Sequence, residues 1–465
     1  MVKISLSKKT LALIKLFIFI LVLTTLIYLV SLAGFLHSLL VFTAYLVSLI
    51  FLFWGLYHIP ILAAGLIKIK CYKDEKIDPF SLPTMTILIP AKHEPWVVSR
   101  VVNVALNHLS YPKSKKEIVV VTEDEETFSA VLPVALANPD TVKVFIRSAS
   151  SRVETKPAAL NDIVHLTRGE IICIFDVEDM PEKDVLLKVA PIFKDPKVGA
   201  VQGILRISNT KDSWISRMMG LEYASWFRIS LWGRVRLGFF APLGGTCCFI
   251  RREYLRMCGW WDSKNLTEDL EVTARLVLSG AKVEMVEVRS WEEAPTTIRK
   301  WLRQRGRWMR GYLQTFLRYW KIALKNVRRL GLKMALTMIL SMATPFVMIF
   351  VPIGFLLTFL WIITDVLKIG FPGLMTSVFP DWAIIPLLFN FIFYGGVVAA
   401  ILIEDKNYWN LFWIPVFFVY MFLHIAGVLY AIWLHLTKPI YWAKTEHYGY
   451  GVKGFPVISK KGVKV

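Results

Sequence analysis

Two long apolar runs open the chain, at residues 10–33 and 36–58. Each is long enough to cross roughly 30 Å of hydrocarbon as a helix. A cleaved signal peptide would leave a small-residue cleavage site ahead of a soluble segment, and none is evident. The link around Ser31–His37 carries no Lys or Arg, whereas Lys3, Lys8 and Lys9 precede the first run and Lys68 and Lys70 follow the second. Cationic flanks stay on the cytoplasmic side, so this pattern predicts a cytoplasmic N-terminus and a cytoplasmic central region.

The period changes after the second run. Short apolar strands are expected at Thr84–Ile89, Glu117–Val121, Thr141–Ile146, Ile171–Phe175 and Gly199–Gln202, with helices at 95–109, 127–137, 157–167 and 182–192. Strands separated by helices of this length read as βαβ units on a mainly parallel sheet. Ligands of such sheets bind beyond the C-terminal strand ends. Acids stand there: Glu94 after the first strand, Asp124 after the second and Asp176 after the fourth.

Apolar character returns at 334–363, 382–403 and 410–435. The first stretch is long for one helix and short for two, and Pro345, Pro352 and Gly354 interrupt it. As one kinked crossing it leaves the lysine-rich tail Lys438–Lys464 outside. As a broken hairpin it returns the tail inside, which the charge bias favours, and non-helical backbone at that depth must be sheltered by protein or line a cavity. The expected organisation is two transmembrane helices over 1–63, a catalytic α/β domain with interfacial helices over 64–330, three or four membrane segments over 331–436 and a basic tail over 437–465.

Composition agrees with a membrane protein: 55% of the 465 residues are hydrophobic, more than a soluble enzyme of this length normally carries. The net charge of +20 suits nucleic acid, an anionic membrane or a phosphorylated substrate. Much of the excess lies beside apolar segments, as at Arg328, Arg329 and Lys333, which favours the membrane. No zinc-finger, Walker A or recognition-helix pattern is present, and a nucleic-acid partner is not expected. Five cysteines without a C-x-x-C argue against a disulfide framework or a zinc knuckle, and Cys173 reads as a small core residue. The missing G-x-G-x-x-G at the first turn argues against a dinucleotide-dependent dehydrogenase.

Three constellations carry chemistry. In IICIFDVEDMP an apolar strand runs into Asp176, Glu178 and Asp179. Asp176 and Glu178 suit a hard divalent cation bridging two phosphates, while an acidic turn capped by Asp179 explains the same letters. In LTEDL, Thr267 is placed to cap a helix and Asp269 to project from its first turn, where a carboxylate can accept a hydroxyl proton. In WLRQRGRWMRG, at 301–311, Arg307 suits the charge of a leaving diphosphate and Trp308 a sugar face. A basic helix lying on anionic lipid accounts for the same segment.

The ordered set IPAKHE at 89–94, TED at 122–124, DVED at 176–179, TED at 267–269 and QRGRW at 304–308 resembles the family 2 inverting glycosyltransferases. It is most similar to their membrane-integrated processive branch, which includes cellulose, hyaluronan and chitin synthases. The resemblance covers about residues 80–312. It implies a GT-A (Rossmann-like) domain between transmembrane helices, a nucleotide-diphosphate sugar donor (a UDP-sugar favoured, GDP-mannose possible), Mg²⁺ or Mn²⁺, a glycan acceptor and membrane lipids as partners. It implies nucleotide or substrate contacts for Glu94, Asp124, Lys156, Asn161 and Asp176. Metal ligation falls to Asp176 and Glu178, with Asp179 as the alternative second ligand. Asp269 would be the catalytic base, and Gln304, Arg307 and Trp308 the Q-x-x-R-W set typical of processive members. GGTCCF at 244–249 resembles the acceptor-side loop.

No F-x-V-T-x-K gating loop follows Trp308, which weakens a cellulose-specific reading. The expectation is a multi-pass enzyme of the cell membrane extending a β-glycan. Transfer of one sugar to a lipid or short acceptor is the alternative. Intact acids at every motif argue against a non-catalytic scaffold or transporter.

Overall fold

A computed structural model describes residues 15, 17–26, 35–68, 79–147, 155–370, 388–389 and 391–437. These fall into two compact units, one made of residues up to Tyr57 with Phe350–Phe391 and the other of His58–Ile349 with Ile392 onward.

The second unit contains an eight-stranded sheet. Its strands are β1 (Met85–Ala91), β2 (Lys116–Thr122), β3 (Val142–Ile146), β4 (Ile171–Ile174), β5 (Met180–Pro181), β6 (Val198–Ile207), β7 (Cys248–Arg251) and β8 (Lys282–Glu292). Their spatial order is β3-β2-β1-β4-β7-β6-β8-β5. The first four are mutually parallel, as the sequence predicts. Of these, β1, β2 and β4 are buried on both faces and carry continuous apolar runs, while the edge strand β3 is only half-buried. Strand β7 enters antiparallel between β4 and β6, β6 and β8 run parallel, and β5 closes the edge antiparallel to β8. The sheet is therefore mixed, and the three strands β5, β7 and β8 are additions to those predicted.

Helices Pro95–Asn103, Glu125–Ala137 and Lys156–Val164 follow β1, β2 and β3. The helix expected at 182–192 is a single turn, Val185–Val189, that tightens over Ala190–Lys194. The core joins Leu88, Val119, Ile172 and Ile250 of the sheet to Val272 and Leu276 of the helix Glu268–Leu278. Each such side chain contributes about 1.5–3 kcal/mol on burial. Burial thus fixes the helix whose first turn carries Asp269.

Among the described residues, three helices are long and apolar enough to cross a membrane: Val41–Leu66, Leu332–Val366 and Tyr408–Thr437. A shorter apolar helix covers Phe17–Leu26. Leu332–Trp361 is one uninterrupted helix that passes through Pro345, Pro352 and Gly354. Of the segment expected at 382–403, residues 388–389 and 391–403 are described; the link around Ser31 and the tail after Thr437 lie outside the described residues. The helix Ile298–Lys325, which contains the QRGRW motif, packs against Ile414–Thr437 within the second unit.

Candidate active site

Strand β4 ends at Ile174, and Asp176 follows with its carboxylate partly exposed. The turn that presents it is tied from inside by Asp179. The Asp176 amide donates to Asp179 Oδ2 at 2.8 Å and Ser290 Oγ donates to Oδ1 at 3.2 Å. Thr246 also donates to Oδ2. Asp179 is fully buried, and burial, with Asp176 and Glu178 nearby, holds its carboxyl well above the usual carboxylate range. Both oxygens are engaged inside the turn, so Asp179 neither caps a helix nor points outward. Glu178 is buried and its charge is felt by Arg100, which also faces Glu293.

Lys156 opens the helix after β3, whose N-terminus is capped by Thr155. Its ammonium lies 2.6 Å from Asp176 Oδ1 and 3.8 Å from Glu268 Oε1, and donates to the Gly245 carbonyl at 2.9 Å. Burial opposes its charge, but Asp176 and Glu268 outweigh it and raise its pKa. Gly245 sits at φ +84°, and a Cβ there would stand 3.2 Å from Asp269 Oδ2. The small residues of GGTCCF thus let the loop backbone lie against the acid.

Asp269 occupies the first turn of Glu268–Leu278. Thr267 holds the N-cap position without a side-chain cap bond and instead donates to Asn265 Oδ1 at 3.3 Å. Burial, reinforced by Glu268, pushes the Asp269 carboxyl up to about 7. Burial also raises Glu268, against the pull of Lys156. From the other side comes Arg307, whose charge burial disfavours while Glu268, Asp269 and Asp176 support it. The helix bearing Arg307 approaches this closely because of Gly311, where a Cβ would meet Thr267 Oγ1 at 2.5 Å. Trp308 stacks under Arg305 at 4.6 Å and lies 6.4 Å from the Tyr223 ring. Gln304 is buried beside them in sequence.

On the same C-terminal edge of the parallel strands, after β2, Asp124 caps Glu125–Ala137. Its Oδ2 accepts from the His93 amide at 2.6 Å and from Thr122 Oγ1 at 3.1 Å, and its Oδ1 from the Thr127 amide at 2.8 Å. Burial pushes its pKa up, but these donors win and hold the carboxyl below its usual range. The Glu94 amide donates to Thr127 Oγ1 at 3.0 Å, which locks the loop after β1 to the first turn of the helix after β2. Asn161 pairs both amide atoms with the Trp261 backbone, at 2.7 and 3.1 Å, and so shapes the loop leading to Asp269.

The fold thus brings Asp176, Lys156, Glu268, Asp269 and Arg307 to one place, from four chain segments. Glu94 and Asp124 are joined separately at the β1 and β2 ends. Among the described residues no cluster of three or more His, Cys, Asp or Glu is arranged to hold a metal alone. Oxygen donors at a strand end nevertheless fit Mg²⁺ or Mn²⁺, which typically take one or two carboxylates and complete their shell with water and substrate phosphate. Sequence reasoning missed Thr246 and the Glu222–Arg305 pair. Arg305 lies inside QRGRW, but nothing local marks Glu222.

Residues 83–311, which hold the mixed sheet and the acids at its strand ends, match the family described as "Glycosyltransferase like family 2". The chain is 34% identical, over 273 residues, to a beta-monoglucosyldiacylglycerol synthase of Trichormus variabilis, covering 58% of this chain and 57% of that protein. It is 25% identical over 264 residues to a poly-beta-1,6-N-acetyl-D-glucosamine synthase of Staphylococcus aureus, covering 56% and 62%. The chain therefore spans less than two thirds of each of these relatives. A mannosyltransferase of Pyrobaculum calidifontis, solved with GDP-Man and Mn²⁺, superposes with a TM-score of 0.53 at 19% identity over 86% of this chain and 99% of that one. That likeness bears on the fold, which is the GT-A arrangement expected.

Proposed function

We propose that this chain is a multi-pass enzyme of the cell membrane that transfers a sugar, with inversion, from a nucleoside-diphosphate donor to a hydroxyl of a membrane-held acceptor. The observation that carries this reading is the convergence of Lys156, Asp176, Glu268, Asp269 and Arg307. In one displacement the acceptor oxygen forms its bond to the anomeric carbon as the bond to the diphosphate breaks. Asp269 takes the hydroxyl proton, a role suited to a carboxyl that titrates near neutrality. Arg307, which faces the acids from the helix Ile298–Lys325, offsets charge on the leaving diphosphate. Asp176 and Glu178 would hold Mg²⁺ or Mn²⁺, which when bound neutralises the diphosphate. Glu94 and Asp124 frame the nucleotide, and Trp308 forms the sugar platform. The catalytic domain faces the cytoplasm, where nucleotide sugars are supplied.

The acceptor class best supported is a lipid, because the 34% relative is a glucosyldiacylglycerol synthase. Extension of a β-glycan is the second reading, supported by the Q-x-x-R-W resemblance and by the poly-N-acetylglucosamine synthase relative. Purified enzyme with UDP-glucose, UDP-N-acetylglucosamine and GDP-mannose, offered diacylglycerol or an oligosaccharide, separates them. One sugar on the lipid supports the first reading and a ladder of long chains the second. No transfer from any of these donors would overturn the proposal.

A further inference from the structure

Behind Trp308 lies a buried polar cluster that the transfer chemistry does not use. Arg305 is buried and forms a two-pronged ion pair with Glu222, Nη1 to Oε1 at 2.9 Å and Nη2 to Oε2 at 2.6 Å. The same guanidinium lies over the Trp308 ring at 4.6 Å and the Trp301 ring at 5.5 Å. On the far side stands the candidate membrane helix Ile414–Thr437. Tyr420 Oη donates to Glu222 Oε2 at 2.5 Å and accepts from Trp301 Nε1 at 2.9 Å. His424 Nε2 lies 3.5 Å from Glu222 Oε1.

Such a cluster is a costly way to hold a helix, because two charges are taken from water for one contact. What it supplies is orientation. A planar guanidinium gripped by both carboxylate oxygens is fixed in place, and the aromatic ring it lies over is held against it. Burial pushes the Glu222 carboxyl up, but Arg305, followed by His424, draws it down to about 2, so the grip persists across physiological pH. Glu222 and Tyr223 are adjacent at the end of Trp214–Tyr223. One holds Arg305, and the ring of the other lies near Trp308.

We propose that Glu222, Arg305 and Tyr420 are positioning residues that fix the Trp308 acceptor platform to the membrane helix Ile414–Thr437. Under this arrangement the acceptor hydroxyl is aligned relative to that helix, as a lipid-borne acceptor entering from the bilayer requires. The inference deepens the proposed function and rests on Trp308 being the acceptor platform.

The test compares Glu222→Gln, Glu222→Asp, Tyr420→Phe and Arg305→Lys with wild type in detergent–lipid micelles. The acceptor is whichever one the wild type uses. Losing a hydrogen bond to a buried charge corresponds to about 10- to 100-fold. Glu222→Gln, Arg305→Lys and Tyr420→Phe should therefore raise the acceptor KM by about that factor, with donor KM within about twofold and Glu222→Asp restoring part of the loss. Tyr420→Phe keeps both charges, so it decides the matter if Glu222→Gln does not fold. An unchanged acceptor KM in folded Tyr420→Phe, or equal damage to donor and acceptor KM, would overturn the proposal. A wild type that hydrolyses donor but transfers to no acceptor would instead defeat the proposed function, whatever the variants do.

Discussion

Lys156 Nζ lies 2.6 Å from Asp176 Oδ1, and the same ammonium reaches Glu268 at 3.8 Å and the carbonyl of Gly245 at 2.9 Å. One cation therefore links the proposed metal side of the site to the proposed base side. Its field also lowers the Asp269 pKa, against burial and Glu268.

The rate should follow Asp269 in its ionised form. With its carboxyl at about 7, turnover should rise with pH through about 7 and level off above it, since the base is protonated and idle on the acid side. Removing the ammonium in Lys156→Met removes a charge that favours the carboxylate. The acid limb should then move to higher pH. A kcat profile at saturating donor reads this, and a limb that stays in place or moves to lower pH contradicts the coupling.

Asp269→Asn should lower turnover by about 10²- to 10⁴-fold, the usual contribution of a positioned base. Donor binding should persist, because the change keeps shape and the donor-side groups are untouched. Turnover and donor affinity measured on one monodisperse preparation test both halves. Near-normal turnover rules Asp269 out, and lost turnover with lost binding moves attention to Glu268.

Metal dependence should separate the three acids of DVED. Asp176→Asn and Glu178→Gln should abolish most activity and weaken Mn²⁺-dependent nucleotide binding. Asp179→Ala should act first on stability, at about 1–3 kcal/mol for the buried donors it strands, since Thr246, Ser290 and the Asp176 amide all converge on it. Metal titrations with thermal melts distinguish these. A normal melt with lost metal response in Asp179→Ala would make Asp179 a ligand.

Gly245→Ala meets two obstacles, a φ of +84° and a Cβ 3.2 Å from Asp269 Oδ2. It should cost about 1 kcal/mol or more in stability and displace the acid, with a larger loss in kcat than in donor affinity. Wild-type kcat in this variant would show that the loop does not need to approach Asp269 so closely.

For orientation, a cysteine at Asp162, on the exposed side of its ion pair with Arg147, should be labelled by an impermeant reagent only after the membrane is opened. Labelling in intact cells would reverse the proposed topology.

The parallel half of the sheet and the acids at its ends are legible in the chain because the cause is local. A strand buried on both faces must be apolar along its length, so IVVV and IICI announce themselves, and the polar residue that ends each run marks the ligand-binding edge. The family-like motifs are equally local, which is why Asp124, Asp176, Asp269 and Arg307 can be picked out one by one. Strands β7 and β8 are less legible, since their places depend on β4 and β6 as partners rather than on their own pattern. The adjacent acids Glu178 and Asp179 look interchangeable in sequence. Only tertiary contacts with Thr246 and Ser290, 67 and 111 residues away, bury Asp179 inside the turn. Glu222 sits in an ordinary amphipathic helix and acquires a role only when Arg305, 83 residues on, and Tyr420, 198 residues on, are folded against it. Periodicity records which face of an element is apolar, but a buried charge is specified by its partner, and the partner's distance along the chain carries no local signal.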